Sequence, residues 1–131
     1  METNELDGKI ARKIMGWHID DEGFWRDVAG QPKMSTGDVE NNPELRYTDW
    51  PTWSPSGDSE ESWRQFGMVL RQAMAVNPYL SLCLETGLDG KSYLGIVTTG
   101  SGYKQVTVEQ WGDGPLEAAC RAILEAWGDG H

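Results

Sequence analysis

Apolar residues recur at helical spacing in three places along the chain and at strand spacing in three others. Leu6, Ile10 and Ile14 fall at i, i+4 and i+8, the mark of a short helix with one buried stripe. Thr3 offers an N-cap and Gly16 a stop, since glycine readily takes the left-handed conformation that closes many helices. A second helix is expected after Asp58, which stands three residues before Glu61 in a capping-box-like pair. Trp63, Phe66, Leu70 and Met74 then trace its stripe as far as Asn77-Pro78. The third begins at Gly114-Pro115, with proline at the first helical position, and carries Leu116, Ala119, Cys120, Ile123 and Trp127.

Between the last two helices the period changes to two. In YLSLCLE, Leu80, Leu82 and Leu84 face one way and Tyr79, Ser81 and Cys83 the other. GLDG supplies a turn, KSYLGIVTT a second strand, GSG (100–102) a second turn, and YKQVTVEQ a third strand with Val106 and Val108 on its apolar side. From Trp17 to Pro55 periodicity fades into Gly, Pro, Asn, Ser and Asp. Residues 17–57 therefore read as a long, partly irregular loop, and connections of that length are usually functional or poorly ordered.

The element order is helix, loop, helix, strand, strand, strand, helix, an α+β protein around a three-stranded antiparallel meander. Both sheet faces are partly apolar, because Tyr79, Cys83, Tyr93 and Val97 oppose the leucine face. A sheet of that kind needs cover on both sides. Two helices would pack on one face, with the first helix and the tryptophan-containing loop on the other. The expected architecture is a small three-layer α/β/α sandwich, a single domain over 1–131 with a tail at 128–131.

Composition narrows the function. Among 131 residues, 21 acids face 11 Lys and Arg, a formal charge of −10. That field repels phosphate backbones, which disfavours direct binding to nucleic acid or an anionic membrane. No apolar run approaches membrane-spanning length, and METNELDGKIARK lacks a basic start followed by a long apolar block. Residence in the cytoplasm is expected. Cys83 and Cys120 have no paired spacing and read as reduced, packed thiols.

Catalytic patterns are weak. Glu85, Asp89 and Lys91 superficially imitate a restriction-type nuclease, but Asp89-Gly90 is what a tight turn requires. His18 beside Asp20, Asp21 and Glu22 offers metal-ligand types within what reads as a solvated acidic run. No serine sits in a G-x-S-x-G elbow, and GSG lacks the third glycine and following helix of a dinucleotide loop. A double-stranded RNA-binding module would need bases where WGDGPLE is acidic. No catalytic residue, metal ligand or cofactor is assigned.

The aromatic residues carry more. Trp63 and Trp127 lie on helical stripes and read as core. Trp50 and Trp53, in RYTDWPTW beside Arg46 and Tyr47, belong to no periodic element. Either they fold back over the open sheet face, or they form an interface hot spot. Arg64 and Arg71, seven apart on one helix, share a face, and Arg121 is a third basic candidate.

IMGW (Ile14–Trp17), SEESWRQFGMVLRQAM (Ser59–Met74), LSLCLETG (Leu80–Gly87) and EAACRAILEAW (Glu117–Trp127) together resemble the small phage proteins grouped as the phage ABA sandwich domain. The resemblance spans most of the chain through packing residues, which specify a fold more than a chemistry. It departs at PELRYTDWPTWSPSGDSEES (Pro43–Ser62), longer and richer in tryptophan than the family's usual turn. The resemblance implies a phage accessory protein acting in the host cytoplasm and carries no common activity.

Two functions then compete. One is a non-enzymatic, counter-defence inhibitor of a host bacterial protein. Its acidic surface steers it onto a basic target while Tyr47, Trp50 and Trp53, with Arg46 as their neighbour on the loop, anchor the contact. A minor branch has carboxylates imitating DNA phosphates. The other function is a sponge for a nucleotide immune signal, stacking a base on an aromatic ring and holding phosphates with Arg46, Arg64 or Arg71. The two open edges of the meander also leave room for a homo-oligomer.

Overall fold

The computed structural model describes residues 2–100 and 105–127. The GSG turn beyond Gly100, the expected strand start at Tyr103 and Lys104, and the 128–131 tail lie outside the described residues. Three helices and two three-stranded antiparallel sheets make up the α+β fold: α1 (Thr3–Lys13), β1 (His18–Ile19), β2 (Phe24–Arg26), β3 (Pro32–Ser35), a 3-10 turn (Pro43–Tyr47), α2 (Glu60–Val76), β4 (Ser81–Thr86), β5 (Tyr93–Thr99), β6 (Val106–Gly112) and α3 (Pro115–Trp127).

α1 buries Leu6 and Ile10 with Asp7 and Ala11. Its N-cap is Glu2 rather than Thr3, with no side-chain bond. At its end Gly16 takes φ 74°, which turns the chain so that the Trp17 amide returns to the Ala11 carbonyl at 2.9 Å. α2 is capped by Ser59, whose hydroxyl accepts the Ser62 amide at 3.0 Å, one residue later than the expected Asp58 pair.

The phase of α2 differs from the sequence reading. Its buried stripe is Ser62, Gln65, Phe66, Val69 and Ala73, so Trp63 turns outward and is 50% exposed, and Met74 is exposed with it. The reason is a hydrogen-bonded glutamine. Fully buried Gln65 accepts the Ser54 amide at 2.6 Å and donates to the Thr52 carbonyl at 2.9 Å, fastening the tryptophan loop to the helix. Satisfied in this way, a polar side chain can take a core position that its type would argue against.

β4, β5 and β6 pair in sequence order. Leu82, Val97 and Val108 form one row of the inner face, covered by α3. Gly95 and Gly112 let that helix settle directly on the sheet, since a Cβ at either would run into the backbone of Ala118. α3 is buried on nearly every side, at Leu116, Ala118, Ala119, Cys120, Ala122, Ile123 and Trp127, because α1 and α2 pack against its far side.

This layering differs from the expected cover of both sheet faces. The small residues of EAACRA allow close approach from two directions, so α3 becomes the middle layer and α1 and α2 rest on it instead of on the second sheet face. On that outer face Cys83, Glu85, Thr107, Glu109 and Trp111 are exposed. The 17–57 segment is also more regular than expected. β1–β3 form its sheet, and β3 continues into the tryptophan loop through a parallel bridge between Ser35 and Thr52, with Trp53 N–H donating to the Ser35 carbonyl at 2.9 Å.

Candidate functional site

The aromatic loop is built outward from Leu45. Pro43 starts the 3-10 turn and Leu45 is its buried residue, seated against Gly23 so closely that a Cβ there would meet Leu45 Cδ1 at 2.9 Å. Arg46 and Tyr47 follow on the exposed side, and Tyr47 is 82% exposed. The Trp50 amide donates to Thr48 Oγ1 at 3.2 Å. Its indole meets Phe24 edge-on at 6.4 Å between ring centroids and remains 45% exposed. Tyr47 and Trp50 are thus displayed from a segment supported underneath by β2.

Trp53 has a different fate. It is 5% exposed, its Nε1–H donates to the Asp7 carbonyl at 2.8 Å, and its ring packs edge-on against Trp17 at 4.7 Å. Both of its N–H groups are bonded inside the molecule, so Trp53 joins α1 to the loop and is too buried to anchor a partner. Of the two open readings for the tryptophan pair, the core reading describes Trp53 and the surface reading describes Trp50. Trp53 caps the helix layer, however, and not the sheet face.

Arg64 is engaged by Glu61 one turn earlier, through contacts of 2.6 and 3.0 Å; that carboxylate's hydrogen bonds hold the guanidinium pKa above its ordinary value. Arg71 is exposed farther along α2. Arg121 instead lies with Glu117, 3.5 Å away, beside Ser92, Gln110 and Trp111.

A groove of about 660 Å³ opens between α1 and β2–β3, lined by Asp7, Gly8, Arg12, Trp25, Thr36 and Trp53 among others. Arg12 lies over the Trp25 ring, 5.3 Å from its centroid. Arg46, Arg64 and Arg71 do not line this groove, so the three cations named for phosphate are not gathered there.

Asp7 is the most perturbed carboxylate near the loop. Its Oδ1 accepts the Ser56 amide at 3.0 Å. Burial pushes its pKa up from 3.8 to about 6; the hydrogen bonds from Ser56 oppose that shift, and the nearby Glu117 charge adds to it. The Ser56 hydroxyl sits beside the carboxylate but makes no hydrogen bond of good geometry among the described residues. Cys120, whose thiol lies 3.7 Å from the Pro55 carbonyl, has its pKa raised well above the ordinary value by burial first and then by Asp7 and Glu117. Sequence reading missed Asp7 because a carboxylate argues for the surface, although the residue stands three and seven positions before Ile10 and Ile14 on the buried stripe. The proline and serines of SPSG, which need donors and acceptors wherever they fold back, are the available signal.

The other chemical candidates are occupied by turns. Asp20 accepts the Glu22 and Phe24 amides and pairs with Arg26 at 2.5 Å. Asp89 accepts both the Lys91 and Ser92 amides, which hold its carboxyl below the usual range. Among the described residues no group of three or more His, Cys, Asp or Glu side chains is placed to hold a metal ion. No described helix is long and apolar enough to cross a membrane. Compared with protein-family models, with curated proteins and with solved structures, the chain finds no match.

Proposed function

We propose that the protein is a non-enzymatic binding protein, a phage accessory factor that inhibits a host bacterial protein in the host cytoplasm. The single observation that carries this reading is the display of Tyr47 and Trp50 on a supported loop while the neighbouring Trp53 is spent on the core. Exposed aromatic rings, Trp50 half-exposed against Phe24 and Tyr47 largely open beside it, are characteristic interface anchors, because they can bury large area with little loss of side-chain freedom. The formal charge of −10 favours a basic target and acts mainly on the rate of encounter. Phage origin and counter-defence rest on the resemblance of IMGW and EAACRAILEAW to the phage ABA sandwich proteins.

The nucleotide sponge is less well supported, since its proposed arginines do not converge on the groove beside Trp25 and Trp53. Native mass spectrometry of protein purified directly from bacterial cells tests the choice. A co-purifying polypeptide that is lost on Trp50→Ala supports the inhibitor. A nucleotide-sized mass that survives native conditions and leaves on denaturation overturns it in favour of the sponge.

A further inference from the structure

Among the described residues two faces are left unpartnered, and they complement each other. The first is the outer face of β4–β6. Its rows place Cys83 beside Ile96 and Glu109, and Glu85 beside Leu94 and Trp111. Leu94 and Ile96 on the central strand are half-buried by these neighbours, Trp111 is 56% exposed, and Glu85 and Glu109 flank the apolar centre. The described residues of these two rows carry acidic and no basic side chains. The second face is the solvent side of α2, where Trp63, Gly67, Arg71 and Met74 fall within one arc of the helix, with Arg64 beside them and exposed Glu60 at the N-terminal end of the same arc. Trp63, Met74, Arg64 and Arg71 are all exposed there, and Gly67 has open space around the position of a Cβ.

From these two faces we infer that the chain self-associates head to tail, α2 of one copy docking on the outer sheet face of the next. Local charge complementarity and the uncovered sheet point to a second copy as the occupant: Arg71 meets Glu85, and Arg64 exchanges its solvent-exposed partner Glu61 for Glu109, around an apolar centre made by Trp63 and Met74 on Leu94, Ile96 and Trp111. The spacings agree. Seven helical residues separate the arginines by about 10 Å along the axis. The two glutamates stand two strands apart and one same-face step along, about 12 Å. Gly67 lies between the two apolar anchors of α2 and lets the helix approach the sheet closely; a mid-helix glycine is otherwise unfavourable. The docked helix would supply the cover that the outer sheet face lacks, making three layers across two copies. A like-on-like pairing of sheet faces would bring Glu85 and Glu109 against their own copies. The net charge of −10 opposes any self-contact, but at physiological ionic strength it is screened beyond about 8 Å, and the local pairs decide.

The contact joins unlike faces and need not close in pairs, which gives a specific test. Sedimentation velocity on the full chain at physiological salt should show mass rising with concentration. Trp63→Glu and Trp111→Glu, both at exposed positions and checked for an unchanged circular dichroism spectrum, should each weaken association at least about tenfold. Mixed together, they should form a finite heterodimer, because each retains the face the other has lost. As a second arm, Arg71→Glu and Glu85→Lys should each weaken association and, combined in one chain, restore it. A wild-type chain that stays monomeric at every accessible concentration overturns the inference. So does a mixture that stays monomeric while the wild type associates, or a charge-reversed double variant that gains nothing.

Discussion

Replacing Asp7 with asparagine should stabilise the protein, and by an amount that depends on pH. In the fold the Asp7 carboxyl titrates at about 6 instead of 3.8, mainly because it is buried. A folded pKa above the unfolded one means that the protonated form favours folding. That stability is fully present below pH 3.8 and is lost as pH rises towards 6. A pKa raised this far corresponds to about 3 kcal/mol, so ionised Asp7 costs about 3 kcal/mol at pH 7.5 and about 1 kcal/mol at pH 4.5. The asparagine would keep an oxygen for the Ser56 amide and place an NH2 donor beside the Ser56 hydroxyl, which lacks a good partner among the described residues. Urea unfolding of both proteins at the two pH values should therefore show the advantage of Asp7→Asn growing by about 2 kcal/mol from pH 4.5 to pH 7.5. The carboxyls of Asp20, Asp27 and Asp89 are held low; their contributions run the opposite way, fading only as pH falls below their unfolded values, and they cancel between the two proteins. An advantage that is constant with pH, or that shrinks as pH rises, would refute the assignment of a buried, charge-destabilised Asp7.

The two loop tryptophans should separate cleanly in thermal or urea denaturation: Trp53→Ala costs roughly 3–5 kcal/mol as a buried aromatic is removed, whereas Trp50→Ala costs about 1 kcal/mol and leaves the spectrum of the folded state intact. Gln65→Ala should destabilise by about 2–4 kcal/mol in the same assay, because the Ser54 amide and Thr52 carbonyl lose their partner together. Titration with a thiol reagent at neutral pH should label exposed Cys83 quickly. Cys120, buried and with its pKa raised, should react only at the rate of unfolding.

The sequence makes the three helices and the β4–β6 meander legible because each carries a sustained period. It fails where period and chemistry part company. On α2, counting Trp63 and Met74 as core and Gln65 as surface rotates the buried stripe. One satisfied glutamine outweighs two apolar residues that gain nothing from facing a loop held by hydrogen bonds. β1–β3 escape notice because strands of two to four residues are too short to show alternation. Their trace is the punctuation: Gly16, Gly23, Gly30 and Gly37 recur every seventh residue, all with positive φ, and mark the bends around the short strands. The position of α3 between two layers is present in the sequence as the small residues Ala118, Ala119 and Ala122 opposite Gly95 and Gly112, a pattern for close approach more than for a single stripe. At the candidate site, the aromatic cluster is visible as a cluster, but which tryptophan faces inward depends on the Asp7 carbonyl 46 residues away, a pairing no local pattern encodes.

The surface role of Tyr47 and Trp50 is tested most directly by quantitative affinity capture from a bacterial extract. It would compare the wild-type chain with a Tyr47→Ala/Trp50→Ala variant shown by circular dichroism and denaturation to be folded. A basic host protein captured by the wild type and lost at least about tenfold from the variant is the expected result. Equal capture of the same proteins by both chains would contradict an aromatic-loop interface.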